Sequence, residues 1–179
     1  MWKTISSKII FRHPRLVLAE DIVELPDGSQ VPYLKYMDNH DAAAVICIKN
    51  KEVLLQREYS YPLNKILYQF PGGKFEPGET PQHAAARELA EEAGLRAQHL
   101  KKLGWFYLDN RRSNAKMHIY LATGLSDIEK PPGDPEEVIT SHWLPVAQVE
   151  VLIREGKIRN YSLLAAWSLY AASAHSHPA

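Results

Sequence analysis

Glu88, Glu91 and Glu92 crowd one short stretch, ARELAEEAGL, with Arg87 beside them and Glu76 and Glu79 just upstream. On a helix, Glu88 and Glu92 are four apart and share a face, and Glu91, three from Glu88, borders it. Like charges at that spacing repel and weaken a bare helix. A divalent cation reverses the sign of that effect. Mg2+ favours carboxylate oxygens, keeps several waters, and is typically shared with substrate phosphates. The chemistry this cluster suits is therefore metal-assisted work on a phosphorylated substrate. The competing reading is ordinary: a solvated acidic face, with Arg87 paired to Glu91 at i+4 for about 0.3 kcal/mol.

The surroundings of the cluster decide between the two. Pro71-Gly72-Gly73 and the turn EPGE precede it, and Gly94 follows it. Thr80 suits an N-cap, Pro81 the first helical position and Gly94 a left-handed C-terminal cap, so a helix is predicted from about 81 to 93. Ala84, Ala85, Ala86, Leu89, Ala90 and Ala93 give it a small apolar surface for close packing on a sheet.

The elements that position this helix read as strands before and after it. Residues 7 to 36 read as antiparallel strands around the turn PDG at 26–28. AAAVICI (42–48) reads as a buried strand, NK (50–51) as a tight turn and EVLLQREY as its partner. ILYQF (66–70), HLKKLGWFYL, KMHIYLATGL and ITSHWLP read as further strands, and VAQVEVLIREG and NYSLLAAWSLYAA as helices. The SAHSHPA tail is expected to fray. Tyr68, Phe70, Trp105, Trp143 and Trp167 are expected in the core. Strands before, between and after helices predict an α+β fold, a mixed sheet flanked by helices.

Composition removes several classes. The 179 residues carry 21 Lys+Arg and 21 Asp+Glu, a formal net charge of zero, which argues against a nucleic-acid binder or a polybasic membrane anchor. No apolar run approaches the ~18 residues of a membrane-spanning helix. The single cysteine, Cys47, cannot form an internal disulfide, and the N-terminus lacks a signal-peptide pattern, so a cytoplasmic protein is expected. The histidines are scattered and form no HExxH, which speaks against a zinc site.

The stretch from 73 to 95 resembles the motif of the Nudix hydrolase family. That motif asks for Gly, five residues, Glu, seven residues, then Arg-Glu-apolar-x-Glu-Glu-x-Gly-apolar. Gly73, Glu79, Arg87, Glu88, Leu89, Glu91, Glu92, Gly94 and Leu95 match it without a gap. The resemblance implies an α/β/α sandwich that hydrolyses a nucleoside diphosphate linked to another moiety. By position it implies Glu88 and Glu92 as principal Mg2+ ligands, Glu91 assisting and the Gly72 carbonyl as a further ligand, with Mn2+ an alternative metal. Glu79 and Arg87 would pair to hold the loop on the helix.

Most of the chain also resembles the ADP-ribose and nucleotide-sugar pyrophosphatase branch, through DIVELPDGSQVPYLKYMDNHDAAAVICI, LLQREYSYP, LYQFPGG and EGKIRNYSLLAAWSL. This implies an N-terminal strand extension (1–38) ahead of a catalytic domain (39–179), and a homodimer in which those strands complete the partner's pocket. ADP-ribose-specific members carry a proline 15 or 16 residues past the motif. Here that count reaches Asn110 and Arg111, with no proline, which raises GDP-mannose-type or broader nucleotide-sugar substrates beside ADP-ribose.

Arg57, Arg111, Arg112 and Lys116 are candidates for substrate phosphate or sugar, since guanidinium forks match phosphate oxygens. Each is also open to the plainer reading of a solvated or ion-paired surface charge. A carboxylate on a mobile loop can take the proton from the attacking water. Glu136 and Glu137 in GDPEEVITSHWLP are the candidates, and alignment with the branch favours Glu137. The alternatives carried are a hydrolase of damaged nucleoside triphosphates and a catalytically silent nucleotide-sensing module. The long N-terminal region argues against the first and the intact glutamates against the second.

Overall fold

The computed structural model describes residues 1–37, 40–132 and 138–175, and its chain divides into two compact units. The first comprises Met1–His40 with Tyr107–Lys116. Its frame is a three-stranded antiparallel sheet of β1 (Lys3–His13), β2 (Leu16–Glu24) and β3 (Gln30–Tyr36), in that order. Strand β2 alternates in and out, burying Val17, Ala19, Asp21 and Val23. Asp21 is tolerated inside because Lys35 lies 2.6 Å away. Burial pushes its pKa up, but the hydrogen bonds from Lys35 and Ser7 outweigh that and hold it below the usual carboxylate range. Strand β1 is different: all of its residues are exposed, including Ile5, Ile9, Ile10 and Phe11.

The second unit, Asp41–Phe106 with Met117–Ala179, holds a seven-stranded mixed sheet. Its strands are β4 (Ala42–Lys49), β5 (Glu52–Ser60), β6 (Lys65–Gln69), β7 (Gly72–Lys74), β8 (Leu95–Tyr107), β9 (Lys116–Asp127) and β10 (Ile139–Pro145). The order is β10-β5-β4-β9-β8, with β6 added to β5 and β7 to β4. Strand β4 runs parallel to β9 and antiparallel to β5 and β7. Its apolar run is continuous because both of its faces are covered. Ala43, Val45 and Cys47 face helix α1 (Pro81–Ala93), while Ala44 and Ile46 face helices α2 (Val146–Arg154) and α3 (Tyr161–His175). This is the sandwich with helices on both faces of a mixed sheet. Asn50 and Lys51 turn β4 into β5 with positive φ at both residues, as a two-residue hairpin of this hand requires.

Two expectations need correction. Trp105 is 43% exposed and not a core residue. It sits on β8, an edge strand of the sheet. Helix α3 continues to His175, beyond the expected end near residue 172 and into the stretch expected to fray. Trp167 is buried and Trp143 half-buried, as expected, and Phe70 is in the core with Tyr68 packed against it.

Candidate active site

The helix predicted from capping residues forms over Pro81–Ala93. Thr80 takes the N-cap, its hydroxyl accepting from the His83 N–H at 3.3 Å. Gly94 closes the other end in the left-handed region, φ 63°, its N–H donating to the Ala90 carbonyl at 3.0 Å. Ala84, Ala85 and Leu89 bury against the sheet, and Glu88 and Glu92 are buried with them, at 8% and 7% exposure. Carboxylates are almost never that buried unless something compensates them. The solvated-face reading thus fails for these two, and Glu91, at 29% side-chain exposure, lies at the margin.

Arg87 organises the cluster. Its Nε and Nη2 donate to the two oxygens of Glu79 at 3.1 and 3.0 Å, a bidentate pair. Its Nη1 donates to Glu88 Oε1 at 2.8 Å and Glu91 Oε2 at 3.0 Å, and Nη2 also donates to the Lys74 carbonyl at 2.9 Å. A guanidinium has about five N–H donors, so this one is fully used. The Arg87 hydrogen bond to Glu79 pulls the Glu79 pKa below its ordinary value, against the opposing effect of burial. Glu79 also accepts from the Glu76 N–H at 2.9 Å, so it ties the turn before the helix to the helix itself. Arg87 is raised above its ordinary value by these same carboxylates.

The loop before the helix comes close to the acids. Gly72 donates its N–H to Glu92 Oε2 at 2.8 Å. A Cβ on Gly73 would lie 2.4 Å from Glu88 Oε1, and one on Gly72 would lie 2.2 Å from the Ala43 carbonyl oxygen. Gly72 is therefore a steric requirement of the close approach of β7 to β4, and a side chain at 73 would displace the Glu88 carboxylate. Among the described residues no three metal-ligating side chains converge into a finished cage. The donor set is two buried carboxylates on adjacent helical turns with a third at the edge. Hard oxygen donors that leave most of the coordination sphere to other oxygens fit Mg2+ or Mn2+ shared with water and phosphate.

A model of the NUDIX domain matches residues 38–167. The chain belongs to the Nudix family. A second model, described as the nucleoside diphosphate sugar hydrolase N-terminal domain, matches residues 2–33. The chain is 34% identical over 158 residues to the methanol dehydrogenase activator of Bacillus methanolicus, covering 87% of this chain and 85% of that one. It is 32% identical over 129 residues to an ADP-ribose pyrophosphatase of Bacillus subtilis (strain 168), covering 72% and 69%. A crystal structure of an ADP compounds hydrolase superposes with a TM-score of 0.90 over 98% of this chain and 95% of that one, at 23% identity, which is a likeness of fold.

Gly72 and the Nudix motif residues Gly73, Glu79, Arg87, Glu88, Glu91, Glu92 and Gly94 thus come together around one helix. Other candidates lie elsewhere. Arg57 is exposed on β5, with its guanidinium carbon 6.0 Å from the centre of the Tyr68 ring. Arg111 and Arg112 belong to the N-terminal unit. There they line a cavity of about 480 Å3 with Tyr33, Lys35, Tyr36 and Met37. The Arg112 carbonyl accepts from the Tyr36 N–H at 2.8 Å, and the Arg111 carbonyl accepts from the Tyr33 hydroxyl. Glu136 and Glu137 lie outside the described residues.

Two buried polar residues escaped sequence reading. Gln56 is fully buried on β5, and neither atom of its amide has a hydrogen-bond partner among the described residues. His118, on β9, places Nε2 3.1 Å from Asp41 Oδ2 and is 7% exposed. The available signal was a break in alternation. Tyr120 and Ala122 face α1 from β9, and His118 occupies the same parity. Scanning histidines for pairs could not find it, because its partner is an aspartate 77 residues away.

Proposed function

We propose that this Nudix hydrolase is a divalent-cation-dependent pyrophosphatase acting on a nucleoside diphosphate linked to a sugar, a nucleotide sugar or ADP-ribose. It would release a nucleoside monophosphate and a sugar phosphate. The observation that carries this reading is the pair of buried carboxylates, Glu88 and Glu92, held beside the Gly72-Gly73 turn. The ADP-ribose pyrophosphatase among the relatives and the match to a nucleoside diphosphate sugar hydrolase N-terminal domain support the substrate class. The absence of the downstream proline favours nucleotide sugars over strict ADP-ribose use.

Glu88, Glu92 and the Gly72 carbonyl would hold the cation, with Glu91 adding charge at the edge. The bound cation supplies a lowered pKa for water and neutralises the phosphoryl oxygens. The protein's own work is placement. Arg87 and Glu79 fix the turn to the helix, so the acids cannot drift apart. Glu92 is oriented by the Gly72 N–H, which donates to its Oε2 at 2.8 Å. Glu137, or Glu136 beside it, would accept the proton of the attacking water. In the N-terminal unit, Arg111, Arg112 and Lys35 at one cavity with two tyrosines offer cations and aromatic faces of the kind phosphate and base require. Exposed β1, with its apolar side chains, supports a homodimer through the N-terminal strands. No helix among the described residues is long and apolar enough to cross a membrane, and a cytoplasmic location remains part of this reading.

The test is a panel of ADP-ribose, GDP-mannose, UDP-glucose, NADH and an oxidised deoxynucleoside triphosphate, with and without Mg2+. Release of a nucleoside monophosphate from a diphosphate-linked substrate, dependent on the cation, is expected. Preference for the triphosphate would move the protein to the sanitising class. No turnover of any member, with substrate binding retained, would make it a sensor.

A further inference from the structure

We propose that His118 is a positioning residue for the metal-binding turn, acting through Asp41 and Phe75. The proposal rests on the pyrophosphatase reading for its consequence but not for its geometry. On the sheet, Ala43 is paired with Gly73 on one side and with His118 on the other. The three residues form one row across β7, β4 and β9. In register, their side-chain positions point to the same face, that of α1. Over Gly73 lies the Glu88 carboxylate. At the other end of the row, His118 reaches Asp41 with Nε2, and its ring lies 5.5 Å from the Phe75 ring at 30°. Asp41 in turn accepts the Phe75 N–H on its backbone carbonyl at 2.9 Å. The segment Gly73-Lys74-Phe75 is thereby held at both edges. Arg87 grips the Lys74 carbonyl from the helix, and the His118–Asp41 pair grips Phe75 from the sheet.

A purely stabilising role does not explain this histidine. Among the described residues, its buried Nδ1 has no hydrogen-bond partner. The neighbours of its own parity on β9, Tyr120 and Ala122, pack into the apolar layer under α1. An aliphatic side chain there would leave no buried ring nitrogen unmet, whereas imidazole does. With Nε2–H donating to Asp41, the unmet capacity is a lone pair, the lesser cost. What imidazole adds, and leucine cannot, is the fixed position of Asp41 and of the turn it holds. Partners of metal-ligand supports behave this way: they set the orientation of groups that touch the metal without touching it themselves.

His118→Leu, His118→Gln and Asp41→Ala separate the roles. Glutamine can place its amide nitrogen near the imidazole Nε2 position and keep the donor. In metal-free protein, amide hydrogen exchange should speed up at Phe75 and its neighbours in His118→Leu and Asp41→Ala, with the melting temperature of His118→Leu unchanged or higher. By titration followed with electron paramagnetic resonance, Mn2+ should bind those two variants roughly tenfold more weakly, and kcat should fall more than KM rises. His118→Gln should recover most of the lost affinity. Unchanged exchange and Mn2+ affinity in His118→Leu would overturn the proposal. So would a loss in His118→Gln as large as in His118→Leu. If wild-type protein binds no Mn2+, the pyrophosphatase reading fails, while the exchange measurement still decides whether His118 holds the turn.

Discussion

Helix α1 and strand β1 are opposite solutions to the same problem of exposed polar and apolar groups. On α1 nearly everything is satisfied within the chain. The guanidinium of Arg87 uses every donor, the caps close both ends, and two carboxylates are buried in fixed positions. On β1 nothing is buried, although Ile5, Ile9, Ile10 and Phe11 lie along it and Trp2 precedes it. A satisfied polar cluster can hold charges at fixed spacing in a low-dielectric setting, which is what work on phosphates needs. An edge strand with exposed apolar side chains is a surface awaiting a cover. The motif residues form a self-contained cluster; association and recognition are, by proposal, the work of the N-terminal unit.

The sharpest break of this comparison is Glu92→Gln. Glutamine keeps the shape and can still accept from the Gly72 N–H, so the fold and melting temperature should hold. Turnover should drop by roughly 10³-fold or more, the worth of several kcal/mol of metal-borne charge stabilisation. Glu88→Gln should be similarly severe. Activity within a few-fold of wild type at saturating Mg2+ would remove Glu92 from the metal set. Next in size is Glu137→Gln, expected to lower kcat by about 10²–10⁴-fold with Mn2+ affinity unchanged. If Glu136→Gln is the worse of the two, the register of the base is off by one; if neither matters, no carboxylate base operates from that loop.

How much of this was legible beforehand follows from how local each signal is. Thr80, Pro81 and Gly94 are caps read within a few residues, and α1 starts and stops where they say. The continuous apolar run at 42–48 announced a strand covered on both faces, and β4 is that strand. Trp105 misled because composition does not tell a central strand from an edge strand, and β8 is an edge. The His118–Asp41 pair and the buried amide of Gln56 depend on sheet register across distant segments, and no spacing rule reaches that far. The positions of Arg111 and Arg112 relative to Tyr33 and Tyr36 are likewise a product of tertiary pairing, through the hydrogen bond between the Tyr36 N–H and the Arg112 carbonyl.

Arg87→Ala tests the self-contained half by removing its hub. Glu79, Glu88 and Glu91 would then face one another without a cation between them. Hydrogen bonds to charged groups contribute about 1.5–3 kcal/mol each where they are not solvent-screened. This side chain is 22% exposed, so a net loss of about 2–3 kcal/mol is expected, a fall of roughly 5–10 °C in melting temperature. Rate should fall as well. A kinetic defect at an unchanged melting temperature would contradict the holding role.

Phe11→Lys tests the other half. A charge on β1 should disfavour strand–strand association, so light scattering should report about half the wild-type mass if the protein dimerises through this edge. KM for a nucleotide sugar should rise while Mn2+ affinity stays the same. A wild-type protein that is a clean monomer at micromolar concentration and fully active would show each active site to be complete within one chain.

The smallest effect expected is the most specific to the ion pair. Glu79→Gln preserves size and one acceptor while removing the charge that Arg87 holds in a bidentate grip. The folded-state pKa of Glu79 is lowered from its ordinary 4.5, chiefly by the Arg87 hydrogen bond. A depressed carboxylate pKa means that its stabilisation is fully present above the ordinary value and is lost as pH falls through the lower folded value. Wild type should therefore be more stable than Glu79→Gln by about 1 kcal/mol near neutral pH, and the gap should stay level until the pH drops below 4.5. Below that it should close, because protonated Glu79 resembles glutamine. Arg87 stays charged throughout, so the closing of the gap reports Glu79 alone. Calorimetric melting of both proteins from pH 7 down to pH 3 provides the measurement. A gap that persists unchanged at the acid end would mean that Glu79 stabilises the turn by shape and by its bond to the Glu76 N–H, not by its charge.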